Sequence, residues 1–286
     1  MCIRDRVENS KVILENAMIE QWSAVRKESN YLNSVLSDLL KEQRADIEKF
    51  TKDKELQKEY TQRVFPELLE SLRRDTTCGV FLVMANDQPI GAPGDFTGFF
   101  LRDSDPVTKV DTNSDLLLER GDKTLARQWG ITLDNSWSPA FRFQGKGIRE
   151  SDDFFYEPYT AGMAHTGVDM ASLGYWSMPF ILEDYEMDNH KMITYSVPLV
   201  NDGVIYGVVG TEVSVSYLCN TYFRVQDLNR QQTAGYAIAV DNGDGTYENI
   251  AGKGNLYDAV QRENAHGPLE STKHEDLFKV KAVSYT

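Results

Sequence analysis

Gly174-Tyr175-Trp176-Ser177-Met178-Pro179-Phe180 opens the stretch that decides the fold, and an acidic patch follows it. The chain resumes as Met192-Ile193-Thr194-Tyr195-Ser196-Val197-Pro198-Leu199-Val200 and turns at Asn201-Asp202-Gly203. It then runs Val204-Ile205-Tyr206-Gly207-Val208-Val209-Gly210-Thr211-Glu212-Val213. Two β-branched and aromatic runs joined by Asn-Asp-Gly predict an antiparallel hairpin. Gly207 and Gly210 weaken a strand, so they predict a bulge or a close approach to the backbone. No catalytic signature interrupts the segment. It reads as a small twisted sheet with one face open to a pocket, which is the architecture of a receptor.

Upstream, the first proline is Pro66 and the first glycine Gly79. Met18, Trp22, Val25, Leu32, Leu36 and Leu39 recur at three- and four-residue steps and predict one apolar stripe. A helix from Glu8 to Lys49 would be about 60 Å long. That length fits a stalk that packs along two modules and pairs with a second subunit. Lys52 to Arg74 reads as a second helix, with Pro66 near a break. Gly79 to Ala85 predicts a buried strand, with Thr97 to Asp103 as its antiparallel partner in a five-stranded sheet.

The insert from Asp105 to Ser172 carries aromatics in place of a clean period, with a helix expected from Ser114 to Gln128. Beyond Leu218 a linker helix reaches about Gln232. Gly235 to Val240 and Tyr247 to Ala251 then begin a second sheet. Asp241 to Glu248 looks like a calcium loop only superficially. Its glycines fall where carboxylate ligands should alternate, and a hairpin turn is the better reading.

Composition narrows the function classes. The 286 residues are 41% hydrophobic and 26% charged, as in a globular protein with a substantial core. A net charge of -14 argues against nucleic acid, whose phosphates require clustered Lys and Arg. Cys2, Cys78 and Cys219 make no metal-ligand spacing, and a buried thiol is favoured over a Cys78–Cys219 disulfide. No run approaches the ~20 apolar residues of a membrane span. The head, Met1 to Arg6, has no helix pattern and reads as non-native. The tail stops inside an apparent strand, Leu277 to Tyr285, so the chain reads as a fragment of a longer protein.

Catalysis has no candidate constellation. His165, His190, His266 and His274 lack a paired His or Cys at ligand spacing. Adjacent pairs such as Asp152-Asp153 and Glu183-Asp184 say nothing about convergence in space. No metal and no cofactor is implied, and an enzyme is not expected.

Several pieces together resemble the double Cache sensors, tandem PAS-like extracytoplasmic domains of bacterial receptors. They are Tyr175 to Phe180, Ile193 to Leu199, Gly207 to Ser214 and the closing Tyr217-Leu218, with a long helix before them and a second β module after. The resemblance covers the chain from about Val7 onward. It implies an α+β fold: a long N-terminal stalk helix and two PAS-like antiparallel-sheet modules, the second truncated. The implied plan is a head at 1–6, a helical stalk at 7–76 and a membrane-distal ligand-binding module at 77–218. A linker helix at 219–234 and an incomplete membrane-proximal module at 235–286 complete it.

In that family the distal module binds a small molecule between sheet and insert. Amino-acid-binding members carry an Arg two residues before a Trp-Tyr pair, and a last-strand Asp receives the ammonium. This chain departs from both. Its aromatic pair is Phe154-Phe155 or Phe155-Tyr156, which puts Asp152 or Asp153 at the Arg position. An acid there repels a ligand carboxylate. The last-strand acid is Glu212.

An amine-bearing or neutral polar ligand therefore fits better, with cation–π contact from Trp137, Tyr156 or Trp176. The candidate site residues are Trp137, Asp153, Phe155, Tyr156, Trp176, Phe180, Tyr195 and Glu212. The packing role competes for the aromatics, above all Phe141 and Phe143.

The expected function is small-molecule sensing outside the cytoplasm by a membrane-bound receptor. Its membrane spans and output domain lie beyond this segment. A histidine kinase or diguanylate cyclase is favoured over a chemoreceptor, and a homodimer would form through the N-terminal helix. The alternative is a free solute-binding protein serving a transporter.

Overall fold

The helical region starts earlier and breaks sooner than the apolar stripe predicts. The computed structural model describes residues 3–108, 112–165, 167–182, 191–222, 236–241, 244, 246–254, 269–271 and 278–280. Helix α1 spans Ile3–Asn16, so the head expected to lack helix is helical from Ile3. A π-helical turn follows at Ala17–Trp22. At its end the Ser23 N–H bonds the Met18 carbonyl five residues back at 3.2 Å, and the Ser23 hydroxyl bonds back to the Ile19 carbonyl. Such back-bonding bends helices.

Helix α2, Val25–Gln43, stops at Arg44, which is left-handed with φ 49°. Asp46 then caps α3, Ile47–Lys52, accepting from the Lys49 N–H at 2.8 Å. Asp53 caps α4, Lys54–Arg74, which runs through Pro66 without breaking. The single helix expected from Glu8 to Lys49 is thus interrupted twice, and α4 packs back against α2. The stripe residues Val25, Leu32, Leu36 and Leu39 are fully buried within the chain.

The chain divides into two compact units, Glu15–Ser214 and, separately, Met1–Leu14 with Val215–Thr286. The larger unit holds strands β1 Gly79–Met84, β2 Gly94–Phe96, β3 Gly98–Asp103, β4 Leu116–Arg120 and β5 Thr132–Ser138. It continues with β6 Phe141–Phe143, β7 Tyr175–Trp176, β8 Met192–Asn201 and β9 Val204–Ser214. Helices α5, Lys123–Trp129, and α6, Asp153–Ala164, lie between them in sequence.

Seven strands, not five, form the main sheet, in the order β5-β4-β3-β1-β9-β8-β7. Among the described residues only β4 and β5 pair in parallel. The helix expected at Ser114 to Gln128 resolves into β4, a turn and α5. Gly121, at φ 121°, makes that turn, and Asp122 caps α5 by accepting from the Thr124 N–H at 2.8 Å.

Strand alternation sorts the core into two faces. Val80, Leu82 and Met84 of β1 join the leucines of α2 and α4 on one side. Phe81 and Val83 join Phe154, Phe155 and Tyr156 of α6 on the other, where β2 and β6 pair as a small ribbon. The sheet is therefore sandwiched between α2 with α4 and α6.

The predicted hairpin forms, with β8 and β9 paired along their length. Asp202 and Gly203 both have positive φ, 49° and 79°, as the two central residues of a type I′ turn require. Both expectations for the strand glycines are met. The register slips between Leu199 and Val200, opposite Tyr206 and next to Gly207. A Cβ on Gly207 would stand 2.5 Å from the Val83 carbonyl, and one on Gly210 would strike the Phe81 ring.

The smaller unit contains α7, Val215–Tyr222, and a four-stranded antiparallel sheet. Its strands are β10 Tyr236–Asp241, β11 Thr246–Lys253, β12 Leu269–Ser271 and β13 Phe278–Val280, in that order. Asp244 accepts from the Thr246 N–H at 2.9 Å, a local turn contact between the paired β10 and β11. The expected linker helix is described only to Tyr222, and its remainder lies outside the described residues.

Candidate functional site

The α6 face of the sheet divides into an aromatic block and a buried polar strip. In the block, Phe154 stacks on Phe180 at 5.5 Å and meets Phe81 edge-on at 4.9 Å. Phe155 stacks on Phe143 at 5.0 Å. Tyr156 sends its hydroxyl to the Ala92 carbonyl at 2.7 Å. Phe141 and Phe143, expected to pack, are buried here as well. Of the candidate residues, Phe155, Tyr156 and Phe180 thus come together, with their rings filling space against one another.

The polar strip crosses β4, β3, β9 and β8. Glu212 pairs in register with Gly79 on one side and Thr194 on the other, so all three share the α6 face. A Cβ on Gly79 would stand 2.5 Å from the Glu212 carboxylate, so this glycine makes room for it. Arg102 of β3 reaches Glu212 through its Nε at 3.4 Å and grips Glu119 of β4 through Nη1. Exposures of 6%, 2% and 0% for Arg102, Glu119 and Glu212 place all three in the interior. Burial pushes the Glu119 carboxyl up to about 8 against the pull of Arg102, and the Glu212 charge adds to the rise.

Next along the strip, the Ser177 hydroxyl accepts from the Thr194 N–H at 2.9 Å and contacts the Thr194 hydroxyl at 3.1 Å. Ser196 is fully buried, and its hydroxyl has no partner among the described residues. Buried hydroxyls normally find one, so Ser196 is an exception on this face.

Asp153, at the first turn of α6, is half-buried. Burial and then Glu157, Glu150 and Asp152 raise its pKa. It lies close enough to Tyr175 to help push that phenol up to about 12, second to burial itself. Asp152, the neighbouring acid, accepts from the Gln144 N–H at 2.8 Å.

Three candidates do not join this face. Trp176 and Tyr195 pair with each other, ring centroids 4.9 Å apart, and pack against the core beside α2 and α4. The strand period of two explains the correction: Tyr175, not Trp176, lies opposite Ser196 and looks towards α6. Trp137 is further off, on β5, donating from Nε1 to the Gly121 carbonyl at 3.1 Å. It lines a cleft of about 400 Å³ with Lys54, Lys58, Phe96, Lys123 and Pro139.

Arg102, Glu119, Tyr175 and Ser196 were not among the sequence candidates. The signal for two of them is weak: Arg102 and Glu119 each end an apolar strand run, Gly98 to Leu101 and Leu116 to Leu118, and each is followed by another charge, Asp103 and Arg120. Among the remaining expectations, His165 is exposed at the end of α6, and His190, His266 and His274 lie outside the described residues. Cys78 and Cys219 form no disulfide, and Cys78 is buried, its pKa pushed up by that burial. Among the described residues, no group of His, Cys, Asp and Glu could hold a metal ion, and no helix is long and apolar enough to cross a membrane.

No family model and no curated protein matches the chain. Solved structures do. One is described as the extracellular domain of a histidine kinase, soHK1S-Z6, with 15% identity and a TM-score of 0.38, covering 90% of this chain and 76% of that one. A methyl-accepting chemotaxis protein X matches with 13% identity and a TM-score of 0.34, over 82% and 72%. The ligand-binding domain of the Campylobacter jejuni chemoreceptor Tlp3, in complex with L-valine, matches with 13% identity and a TM-score of 0.32, over 85% and 74%. At these scores the likeness is distant and fixes no ligand. The neighbours are extracellular sensor domains of histidine kinases and chemoreceptors, the class that the sequence resemblance names.

Proposed function

We propose that this chain is the extracytoplasmic sensing region of a membrane-bound bacterial signalling receptor, and that Glu15–Ser214 binds a small solute on the α6 face of its sheet. The observation that carries this reading is the buried polar strip. A core stabilised by packing alone has no use for Arg102, Glu119, Glu212 and an unpartnered Ser196 hydroxyl on one face. Burying such groups costs free energy, and they concentrate where a ligand is recognised.

The ligand is amine-bearing or neutral and polar. Glu212 is its anionic contact, Ser196 a hydrogen-bond partner, and Tyr175 with Asp153 the wall on the α6 side. Phe155, Tyr156 and Phe180 support that wall from behind. Binding biases two arrangements of sheet and helix only by its differential affinity for them. The bias passes through α2 to a dimer partner and a cytoplasmic output, histidine kinase or diguanylate cyclase in preference to chemoreceptor. The region performs no chemistry of its own.

A thermal-shift screen of the purified chain against amines, amino acids, organic acids and sugars tests this, since a ligand of the folded form raises Tm by mass action. Amines or neutral polar compounds should score, and Ser196→Ala and Glu212→Gln should weaken those hits. Hits confined to simple carboxylates, or hits that survive both substitutions, would sink the assignment.

A further inference from the structure

A cleft of about 400 Å³ opens at the β5 end of the main sheet, where Lys58 of α4 bridges to Asp122, the cap of α5, at 2.6 Å. Lys54, Lys58 and Thr61 line it from α4, where steps of four and three put them on one face. Lys123 lines it from α5, Trp137 from β5 and Phe96 from β2. It shares no lining residue with the polar strip of Arg102, Glu119, Thr194 and Glu212. Its volume is that of a small-molecule site, which spans about 300–1,000 Å³.

Trp137 is half-buried, and its indole is held in place. Nε1 donates to the Gly121 carbonyl at 3.1 Å, and part of the ring packs against the core. The indole therefore needs no polar partner from a ligand and presents a flat apolar surface to the cleft. Pro139 and Ala140 extend that surface, and Gly98 lines the cleft with bare backbone. An aromatic ring placed there sheds water and gains an offset or edge contact with the indole.

The charges select the other end of the ligand. Asp122, Asp95 and Glu55 also line the cleft. Asp122 is spent: it pairs with Lys58 and accepts from the Thr124 N–H at 2.8 Å. Asp95 pairs with Arg142 at 3.4 Å. Among the described residues no acid engages Lys54 or Lys123. Two lysines are thus set against Glu55 alone, and the open charge of the cleft is positive. In a chain of net charge -14, that is the exception.

We propose that this cleft is a second binding site, separate from the α6 face, and that it takes a small aromatic carboxylate. The ring lies against Trp137, with Phe96 and Pro139 beside it, and the carboxylate meets Lys54 and Lys123. Lysine suits that contact, as a point charge on a flexible stem that can follow the carboxylate. A ligand so placed touches α4, α5 and β5 at once and reinforces the Lys58–Asp122 bridge.

Calorimetric titration of the full chain with benzoate, phenylacetate and naphthoate provides the test, with their neutral amides and acetate as references. At least one aromatic acid should bind, about fivefold or more tighter than its own amide and than acetate. Added salt should weaken the acid and leave the amide unchanged, because exposed charges are screened. Lys54→Gln combined with Lys123→Gln should remove most of the advantage of acid over amide. Both lysines are exposed, so this variant keeps the fold and decides the matter even if Trp137→Leu, which should weaken acid and amide alike, does not fold. Equal affinities for acid and amide, or an acid affinity unmoved in the lysine variant, overturn the proposal. Binding by none of the three acids overturns it as well. None of these results bears on the α6 face, which is judged by amines and neutral polar compounds.

Discussion

The phenol oxygens of Tyr60 and Tyr206 lie 3.1 Å apart in the interior, on the face of the sheet opposite the polar strip. Tyr60 also approaches the Leu32 carbonyl at 3.2 Å, and Tyr206 the Asn33 side-chain oxygen at 3.0 Å. Each hydroxyl has one proton, so two of these three contacts can carry a hydrogen at a time. Three elements, α2, α4 and β9, are thereby tied at one point. Tyr206 is also the residue at the register slip of β9, so a shift of that strand reaches α2 through a single side chain. Tyr206→Phe keeps the ring packing and removes the tie. It should lower stability by about 1 kcal/mol in denaturant titration. A midpoint equal to that of the parent protein would show that the contact carries no load.

Buried tyrosines also predict an alkaline limit. Burial raises Tyr60 and Tyr206 above the ordinary phenol range, so the folded form keeps protons that the unfolded chain gives up. Their contribution is complete below the unfolded pKa and is lost as pH rises through it and beyond. Absorbance titration should show these two phenols ionising only together with unfolding. Two reversible steps at ordinary phenol pH in folded protein would contradict that.

Glu119 acts in the same sense at lower pH. Its folded pKa, about 8, lies above the usual carboxylate value of 4.5. Its contribution is therefore full below that value and is lost as pH rises towards about 8. Between those limits Tm of the unliganded chain should fall with pH more steeply than Tm of Glu119→Gln, whose amide has no proton to lose. Parallel curves would place the proton elsewhere.

Much of this was legible in the chain. The Asn-Asp-Gly turn and the two flanking runs specified β8 and β9 because short-range turn chemistry and β-branching agree there. The broken helix was not legible in the same way. Nothing in Ser23 or Arg44 forbids helix, and the breaks fall at a hydroxyl back-bond and a left-handed arginine rather than at Gly or Pro. Asp46 and Asp53 were the readable clues, as N-caps. For the site, residue type was informative and facing was not. Tyr175 and Trp176 differ by one position, and only the register with Ser196 and Tyr195 decides which of them looks at α6. The Arg102 contact with Glu212 joins residues 110 positions apart, beyond the reach of any local pattern.

That facing yields a paired prediction. Trp176→Ala strips a half-buried ring from the α2 and α4 side and should lower stability without changing the affinity of any ligand found in the screen. Tyr175→Phe should leave stability within about 0.5 kcal/mol, as expected away from core contacts, and weaken binding. The reverse pattern would return the site to the Trp176 face.

Gly210 offers the sharpest structural check, because its requirement is steric rather than conformational. A Cβ there would run into the Phe81 ring and stand 2.5 Å from the Tyr195 carbonyl, which is backbone and cannot swing aside. Phe81 is itself held by Phe100 at 5.2 Å and Phe154 at 4.9 Å, so it has little room to yield. Gly210→Ala should therefore cost about 2 kcal/mol or more, in the range of overpacked cores. Gly167→Ala, where an added Cβ meets nothing within 4 Å, should be close to neutral. Equal midpoints for the two variants in urea would mean that β1, β8 and β9 do not meet as closely as the register of Phe81, Ser196 and Gly210 requires.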